Sequence, residues 1–283
     1  MNNMLIATAL RKDLELYFSE DDLARNIFYT SSLPKDMVQC SLKIKDDMIL
    51  AGLPYFVEAF RYLGAENLKL EAFEQYEGKK FLKSEKAEIK FELPFSIALT
   101  GERIALNLLQ QASSIATYTN QFVEIAKEKG VSILDTRKTT PGHRSLEKYA
   151  VRIGGGHNHR LGQTDLWMVK DNHKSFFGGV KQAVEFFQSM KGFYTPIEVE
   201  VHNMDELDDV LSLGIRHIML DNFTPEMIEQ AVAKKPSGVT FEVSGGIRLS
   251  NLNEYLIDGL DAISVGALTY GAPSVDVSLK YHR

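Results

Sequence analysis

Cations gather in one short stretch of this chain. Between Arg137 and Lys174 there are eight Lys/Arg against three Asp/Glu, a local +5, together with four of the seven histidines. The whole protein is acidic, with 32 basic and 38 acidic residues for a net −6. The local excess falls beside short apolar runs rather than along a solvated helix face. VSILD leads into Thr136, Arg137 and Lys138; GGGHNHR carries His159 and Arg160; LWMV leads into Lys170, Asp171 and Asn172. Arg offers a rigid bidentate fork to carboxylate or phosphate and Lys a compact charge, so cations converging at strand ends suit a polyanionic ligand.

Acids follow the cations. PIEVEV carries Glu200 and HIML ends in Asp221. Glu198 and Glu200 share a face by alternation, and within so apolar a run at least one must meet a cation or a metal, because an unpaired buried carboxylate is very costly. Two carboxylates from successive strand ends form a hard-oxygen site suited to Mg²⁺ held together with substrate phosphates, and they could also stabilise a developing positive charge. After the last two apolar runs stand Ser244, Gly245 and Gly246, then Val265, Gly266 and Ala267. Glycines there let backbone N–H groups approach an anion, and barrels frequently hold a phosphate at that place. His157 and His159 at i,i+2 without a third ligand make a poor zinc signature. GxGxxG, GxSxG and P-loop patterns do not occur, which leaves Rossmann, serine-nucleophile and ATP-transfer chemistry unsupported.

The elements that must position these groups change character along the chain. With 283 residues, 44% hydrophobic and 25% charged, the chain has the composition of an ordinary globular protein of one large or two unequal domains. The first third mixes helical spacing (Ala9 to Leu23, Tyr55 to Leu63) with alternating strands (VQCSLKI, AEIKFEL) and reads as a small α+β module. A long helical pattern runs from Gly101 to a cap at Gly130, with a break expected near Ala112 to Ser114. Beyond it come seven apolar runs, AVRI among them. The later ones recur every two dozen residues and alternate with amphipathic stretches at Gly179–Met190, Met204–Leu213, Pro225–Ala233 and Leu249–Gly259. That is the βα unit of a parallel barrel, here incomplete or open. Cys40 is the only cysteine, which fits a reducing cytoplasm, and no apolar run reaches the roughly 18 residues of a membrane span.

The ordered set DTRKTTPGHRSLEKYAVRIGGGHNHR, MVKDNH, EVEV, LDN, SGGI and ISVGAL resembles the quinolinate phosphoribosyltransferase family, closely from Gly101 to Leu268 and more loosely over the N-terminal third. The resemblance implies an α/β protein: an N-terminal α/β sandwich domain over residues 1–112, joined by the tail 271–283, and an open parallel α/β barrel over 113–270. It implies decarboxylating phosphoribosyl transfer from 5-phosphoribosyl 1-diphosphate to quinolinate with Mg²⁺, in a cytoplasmic homodimer with shared sites. By motif, Arg137, His159, Arg160 and Lys170 resemble quinolinate ligands, beside Thr136, with Arg103 reaching in from the partner subunit. Lys138 corresponds to a residue serving the diphosphate, and Glu200 and Asp221 to the acids that hold Mg²⁺ and the ribose. Ser244, Gly245, Gly246, Val265, Gly266 and Ala267 correspond to a cradle for the 5-phosphate.

Two places depart from the family pattern: ARNIFYTSS stands where Gly-Asp-x-Thr is common, and Ser114 stands where the family has Gly. His202 and Trp167 are also unusual, and Trp167 is expected to fill core. A nicotinate enzyme or the molybdate-operon homologue of the same architecture would need fewer cations than Arg103, Arg137, His159, Arg160 and Lys170 supply. A silent anion-binding protein would have lost Glu200 or Asp221.

Overall fold

The computed structural model describes residues 3–282 of the chain, with side chains from Thr8 onward. Its first elements are α1 (Asn3–Glu20), α2 (Ile27–Ser32), β1 (Met37–Ile44), β2 (Met48–Ile49), α3 (Leu53–Tyr62), β3 (Lys80–Phe81), β4 (Glu88–Pro94) and α4 (Phe95–Ala126). From there βα alternation sets in: β5 (Ser132–Leu134), α5 (Arg144–Ile153), β6 (Trp167–Val169), α6 (Asp171–Phe177), α7 (Val180–Met190), β7 (Ile197–Val201) and α8 (Met204–Ser212). It continues with β8 (His217–Asp221), α9 (Pro225–Ala233), β9 (Thr240–Ser244), α10 (Leu252–Tyr255), β10 (Ala262–Ser264), α11 (Ala267–Tyr270) and the closing strand β11 (Val277–His282).

The chain divides into two units. One holds the described residues up to Tyr118 with Thr140–Gly154 and the tail from Ala272; the other holds Thr119–Thr139 and Gly155–Gly271. In the first, β1 is the middle strand of an antiparallel sheet ordered β11-β1-β4. Its alternation buries Val38, Cys40, Leu42 and Ile44, the period-2 pattern that a sheet covered on one face requires. Phe56 and Phe60 of α3 meet Phe91 of β4 edge-on or tilted, a geometry favoured by the ring quadrupole.

Helix α4 runs unbroken through Ala112–Ser114, contrary to the expected interruption, because its small polar residues are satisfied in place. Ser113 Oγ donates to Ala51 O and accepts the Ala51 N–H. Ser114 Oγ donates to Gln110 O at 2.7 Å and accepts the Val275 N–H at 3.1 Å. The departure from Gly at this position therefore ties down the C-terminal segment. The other departure is locally resolved: Asn26 caps α2 by accepting the Tyr29 N–H.

The second unit is a six-stranded, wholly parallel sheet ordered β5-β10-β9-β8-β7-β6, an open α/β barrel. AVRI is no strand: it closes the amphipathic helix α5. The parallel bridge beside β5 is made instead by His157, which pairs with Leu134. Leu249–Gly259 shrinks to the single-turn α10. All five residues of β7 are buried, as expected of a parallel strand covered on both faces. Trp167 is half-buried at the start of β6, edge-on to Phe187 at 6.0 Å. Among the described residues no helix is long and apolar enough to cross a membrane.

Candidate active site

At the carboxyl end of β5 the chain turns sharply and the turn is fixed from both sides. Asp135 is fully buried; its carboxylate accepts the Asn158 amide at 2.6 Å and the His159 N–H at 2.9 Å. Thr136 Oγ1 accepts the Lys138 N–H, and Thr269 Oγ1 donates to Lys138 O at 2.7 Å. The Lys138 side chain is thereby projected from a held backbone and lies over Gly266, where an added Cβ would meet its Cδ at 3.1 Å. Between them Arg137 has its Nε buried without a hydrogen-bond partner. A guanidinium N–H left unsatisfied in the interior costs about 1–3 kcal/mol or more. Arg160 is only half-buried and donates to Leu166 O at 3.3 Å. Burial, and then the neighbouring Arg137 charge, hold its pKa below the ordinary guanidinium value.

Acidic residues stand on the next strand ends. Glu200, in β7, receives Lys170 Nζ at 2.6 Å. Asp221, ending β8, accepts Ser244 Oγ at 3.0 Å and the Asn222 amide at 2.7 Å. Between them sits His202, with Nε2 at 2.8 Å from Asp171, 3.7 Å from Asp221 and 3.8 Å from Glu200. Asp171, which opens α6, is held below the usual carboxylate range: burial raises it, but Lys174 and His202 lower it more. Lys174 is itself buried and bonds Glu206 at 2.8 Å. The open carboxyl face thus presents a pair of guanidiniums and Lys138 beside a wall of carboxylates. As oxygen donors on adjacent strands, Glu200 and Asp221 fit a hard divalent cation such as Mg²⁺.

The Ser244–Gly246 turn is shaped for close backbone approach. Gly245 has φ +105° and Gly246 φ +66°, and a Cβ on Gly245 would lie 2.2 Å from Asn222 Oδ1, so only glycine fits. After β10, Val265 is buried and its N–H donates to Leu134 O. That amide belongs to the sheet, leaving Gly266 and Ala267 as the residues at the mouth of the turn.

A second group lies deeper, inside the sheet's concave face. His159 Nε2 is 3.0 Å from Glu198 Oε2 and 3.4 Å from Glu242 Oε2, all three side chains being almost wholly buried. Ser264 Oγ donates to Glu242. Burial, then the Glu198 charge, pushes the Glu242 carboxyl up to about 8. Burial lowers the proton affinity of the His159 ring and the two carboxylates raise it by more, the net direction being upward. A second ring proton would have to sit on Nδ1, which already accepts the Arg160 N–H at 2.6 Å; that contact favours the neutral ring with its proton on Nε2. The three ligand atoms are close enough to one another to surround a metal ion, yet a protonated Nε2 has no lone pair to give one. A cavity of about 750 Å³ reaches the cluster from the amino ends of the strands, past Ser132, His217 and Thr240.

The second unit therefore brings together Thr136, Arg137, Lys138, His159, Arg160, Lys170, Glu200, Asp221 and Ser244–Gly246 at or beneath one end of its sheet. Arg103 is exposed on α4 of the first unit. Sequence reading passed over Asp135, Glu242 and Lys174. Glu242 had a signal: like Glu198, it interrupts an apolar strand core, in FEV.

Comparisons with known proteins agree with this arrangement. The model of the quinolinate phosphoribosyl transferase N-terminal domain matches residues 27–113 and that of the C-terminal domain residues 115–280. A probable carboxylating nicotinate-nucleotide pyrophosphorylase of Bacillus subtilis is 36% identical over 272 residues, covering 95% of this chain and 92% of that protein. The carboxylating nicotinate-nucleotide pyrophosphorylase of Homo sapiens is 38% identical over 248 residues, covering 86% and 82%. The structure of the nicotinate-nucleotide pyrophosphorylase from Francisella tularensis superposes with a TM-score of 0.84 at 31% identity, covering 100% of this chain and 98% of that one. With both domain models matched in order and relatives similar along nearly the whole chain, this protein is a member of the quinolinate phosphoribosyl transferase family.

Proposed function

We infer that the chain transfers the phosphoribosyl group of 5-phosphoribosyl 1-diphosphate to quinolinate and releases diphosphate and CO₂, giving nicotinate mononucleotide for NAD biosynthesis. The observation that carries the reading is the buried, unsatisfied Arg137 Nε beside a second guanidinium, Arg160. Two adjacent cations that repel each other are stabilised by a ligand with two carboxylates, and quinolinate is such a dianion.

In this reading Arg137, Arg160 and Lys170 bind the two carboxylates, with His159 beneath them and Thr136 shaping the turn. Lys138 accompanies the diphosphate as it leaves. Ser244, Gly245, Gly246, Gly266 and Ala267 cradle the 5-phosphate, next to Val265, which is fixed in the sheet. The pyridine nitrogen forms a bond to the anomeric carbon while the bond from that carbon to the diphosphate oxygen breaks. Glu200 and Asp221 stabilise the positive charge that builds on the ribose in between. Mg²⁺ held by Glu200 and Asp221 would supply charge neutralisation for the diphosphate. The ring nitrogen, now cationic, stabilises the electron pair left at the adjacent carbon when its carboxylate departs as CO₂, and a proton then replaces it there. The enzyme is read as a cytoplasmic homodimer in which Arg103 completes the partner's site.

The test is quinolinate-dependent release of CO₂ and diphosphate in the presence of Mg²⁺, with nicotinate in parallel and Lys138→Ala as the blank. Turnover with quinolinate alone is expected. Turnover with nicotinate alone would reassign the base, and binding without turnover on either would make the protein a silent anion binder.

A further inference from the structure

The deep cluster is assembled from parts of the sheet that are far apart in strand order. Glu198 lies in β7 and Glu242 in β9, whereas His159 belongs to the segment bridged to the outer side of β5. The His159–Glu198 contact therefore joins the segment beside β5 to β7, near the other end of the strand order. The contact continues outward. The ring held by Glu198 through Nε2 accepts the Arg160 N–H at Nδ1, at 2.6 Å, so a fixed ring fixes the backbone from which the Arg160 guanidinium extends. Among the described residues neither Arg160 nor Arg137 has a salt-bridge partner of its own. Glu198 Oε2 is buried and lies 3.0 Å from the ring's Nε2.

We propose that Glu198, backed by Glu242, is a positioning residue for the dicarboxylate substrate: it orients the His159 ring and, through the Arg160 amide, sets the Arg160 guanidinium. Glu198 touches no reacting atom. The inference rests on the functional reading above, and its test separates the two. In the full-length protein, Glu198→Met keeps the volume and removes the acceptor, while Glu198→Gln keeps an amide oxygen that still accepts from Nε2–H. Quinolinate affinity by calorimetry, steady-state kinetics and the ¹⁵N signature of the His159 ring are measured on each.

The expected result is a loss of about tenfold in quinolinate affinity for Glu198→Met, the size of one charge-assisted hydrogen bond. The KM for the ribosyl donor and kcat should stay within about twofold, and Glu198→Gln should recover most of the affinity. A defect spread equally over both substrates and kcat would mean a merely structural role and overturn the proposal, as would quinolinate affinity within about twofold of wild type in folded Glu198→Met. Should that variant not fold, Glu198→Asp withdraws the carboxylate by one methylene, with the same expected direction. If the wild-type protein does not bind quinolinate at all, the functional reading fails and the proposal with it; if wild type binds and folded Glu198→Met binds equally well, the positioning role alone fails. The Nε2 signal of the His159 ring should shift in Glu198→Met, where its acceptor is lost, while Nδ1 keeps its bond to the Arg160 N–H; an unshifted Nε2 in the folded variant overturns the proposal.

Discussion

At the scale of single residues, Glu242 stands out because its environment opposes its charge. Its carboxyl is pushed from the ordinary 4.5 to about 8 by burial and by Glu198. Between those values the native protein holds a proton that the unfolded chain has released, so unfolding gains from rising pH and stability falls through that window. Glu242→Gln removes the titration. Thermal unfolding at about pH 5 and about pH 8.5 should show a smaller drop for the variant than for wild type; equal drops would mean that Glu242 ionises normally. The acids also show how far residue-level reading goes. Alternation alone required Glu198 or Glu200 to find a cation or a metal: Glu200 meets the cation Lys170, and Glu198 faces the Nε2 side of the His159 ring. Lys174 escaped notice because Glu206, its partner from α8, is brought to it by tertiary packing; only Asp171, three residues earlier on α6, was within reach of spacing.

At the scale of elements, the site is a set of turns after parallel strands, and their glycines are constrained by neighbours. Gly245→Ala would force a side chain into a left-handed conformation against Asn222. Strain of about 1–3 kcal/mol at such a position should displace the turn that Ser244 begins. The KM for the ribosyl donor is expected to rise about tenfold while quinolinate affinity stays near wild type. An unchanged donor KM would remove this turn from phosphate binding. Element reading from sequence succeeded where apolar runs were flanked by regular helical stretches, as in β7 to β9. It failed at AVRI, where Ala150 and Val151 belong to the buried stripe of α5 and an apolar run this short does not tell a strand from the end of a helix. It failed again at Ala112–Ser114, where hydroxyls that suggested a break are absorbed by bonds to Gln110, Ala51 and Val275.

At the scale of the whole molecule, the net −6 conceals a local cluster of cations, so attraction for anions is local rather than a property of the whole surface. The proposed dimer has a direct test. Arg103→Ala and Lys138→Ala should each be inactive alone, and after unfolding and refolding together they should recover about a quarter of wild-type activity. Half of randomly paired dimers are hybrids, and each hybrid rebuilds one complete site. No recovery would place Arg103 and Lys138 in the same subunit's site, and full activity of Arg103→Ala alone would make Arg103 dispensable to catalysis. Nearly every polar group at the strand ends was legible in the sequence, because those groups follow directly from strand-end position. The sequence left hidden the depth of the site, which depends on side chains meeting across the barrel.

The pair between Lys170 and Glu200, 2.6 Å apart, joins residues read as serving different substrates. Without ligands the two charges satisfy each other. A dicarboxylate that captures Lys170 releases the Glu200 carboxylate toward the ribose side, and a donor that engages Glu200 releases the ammonium toward the pyridine side. The two substrates are then thermodynamically coupled: each strengthens the binding of the other by the same factor, because each removes a competitor that the other must otherwise displace.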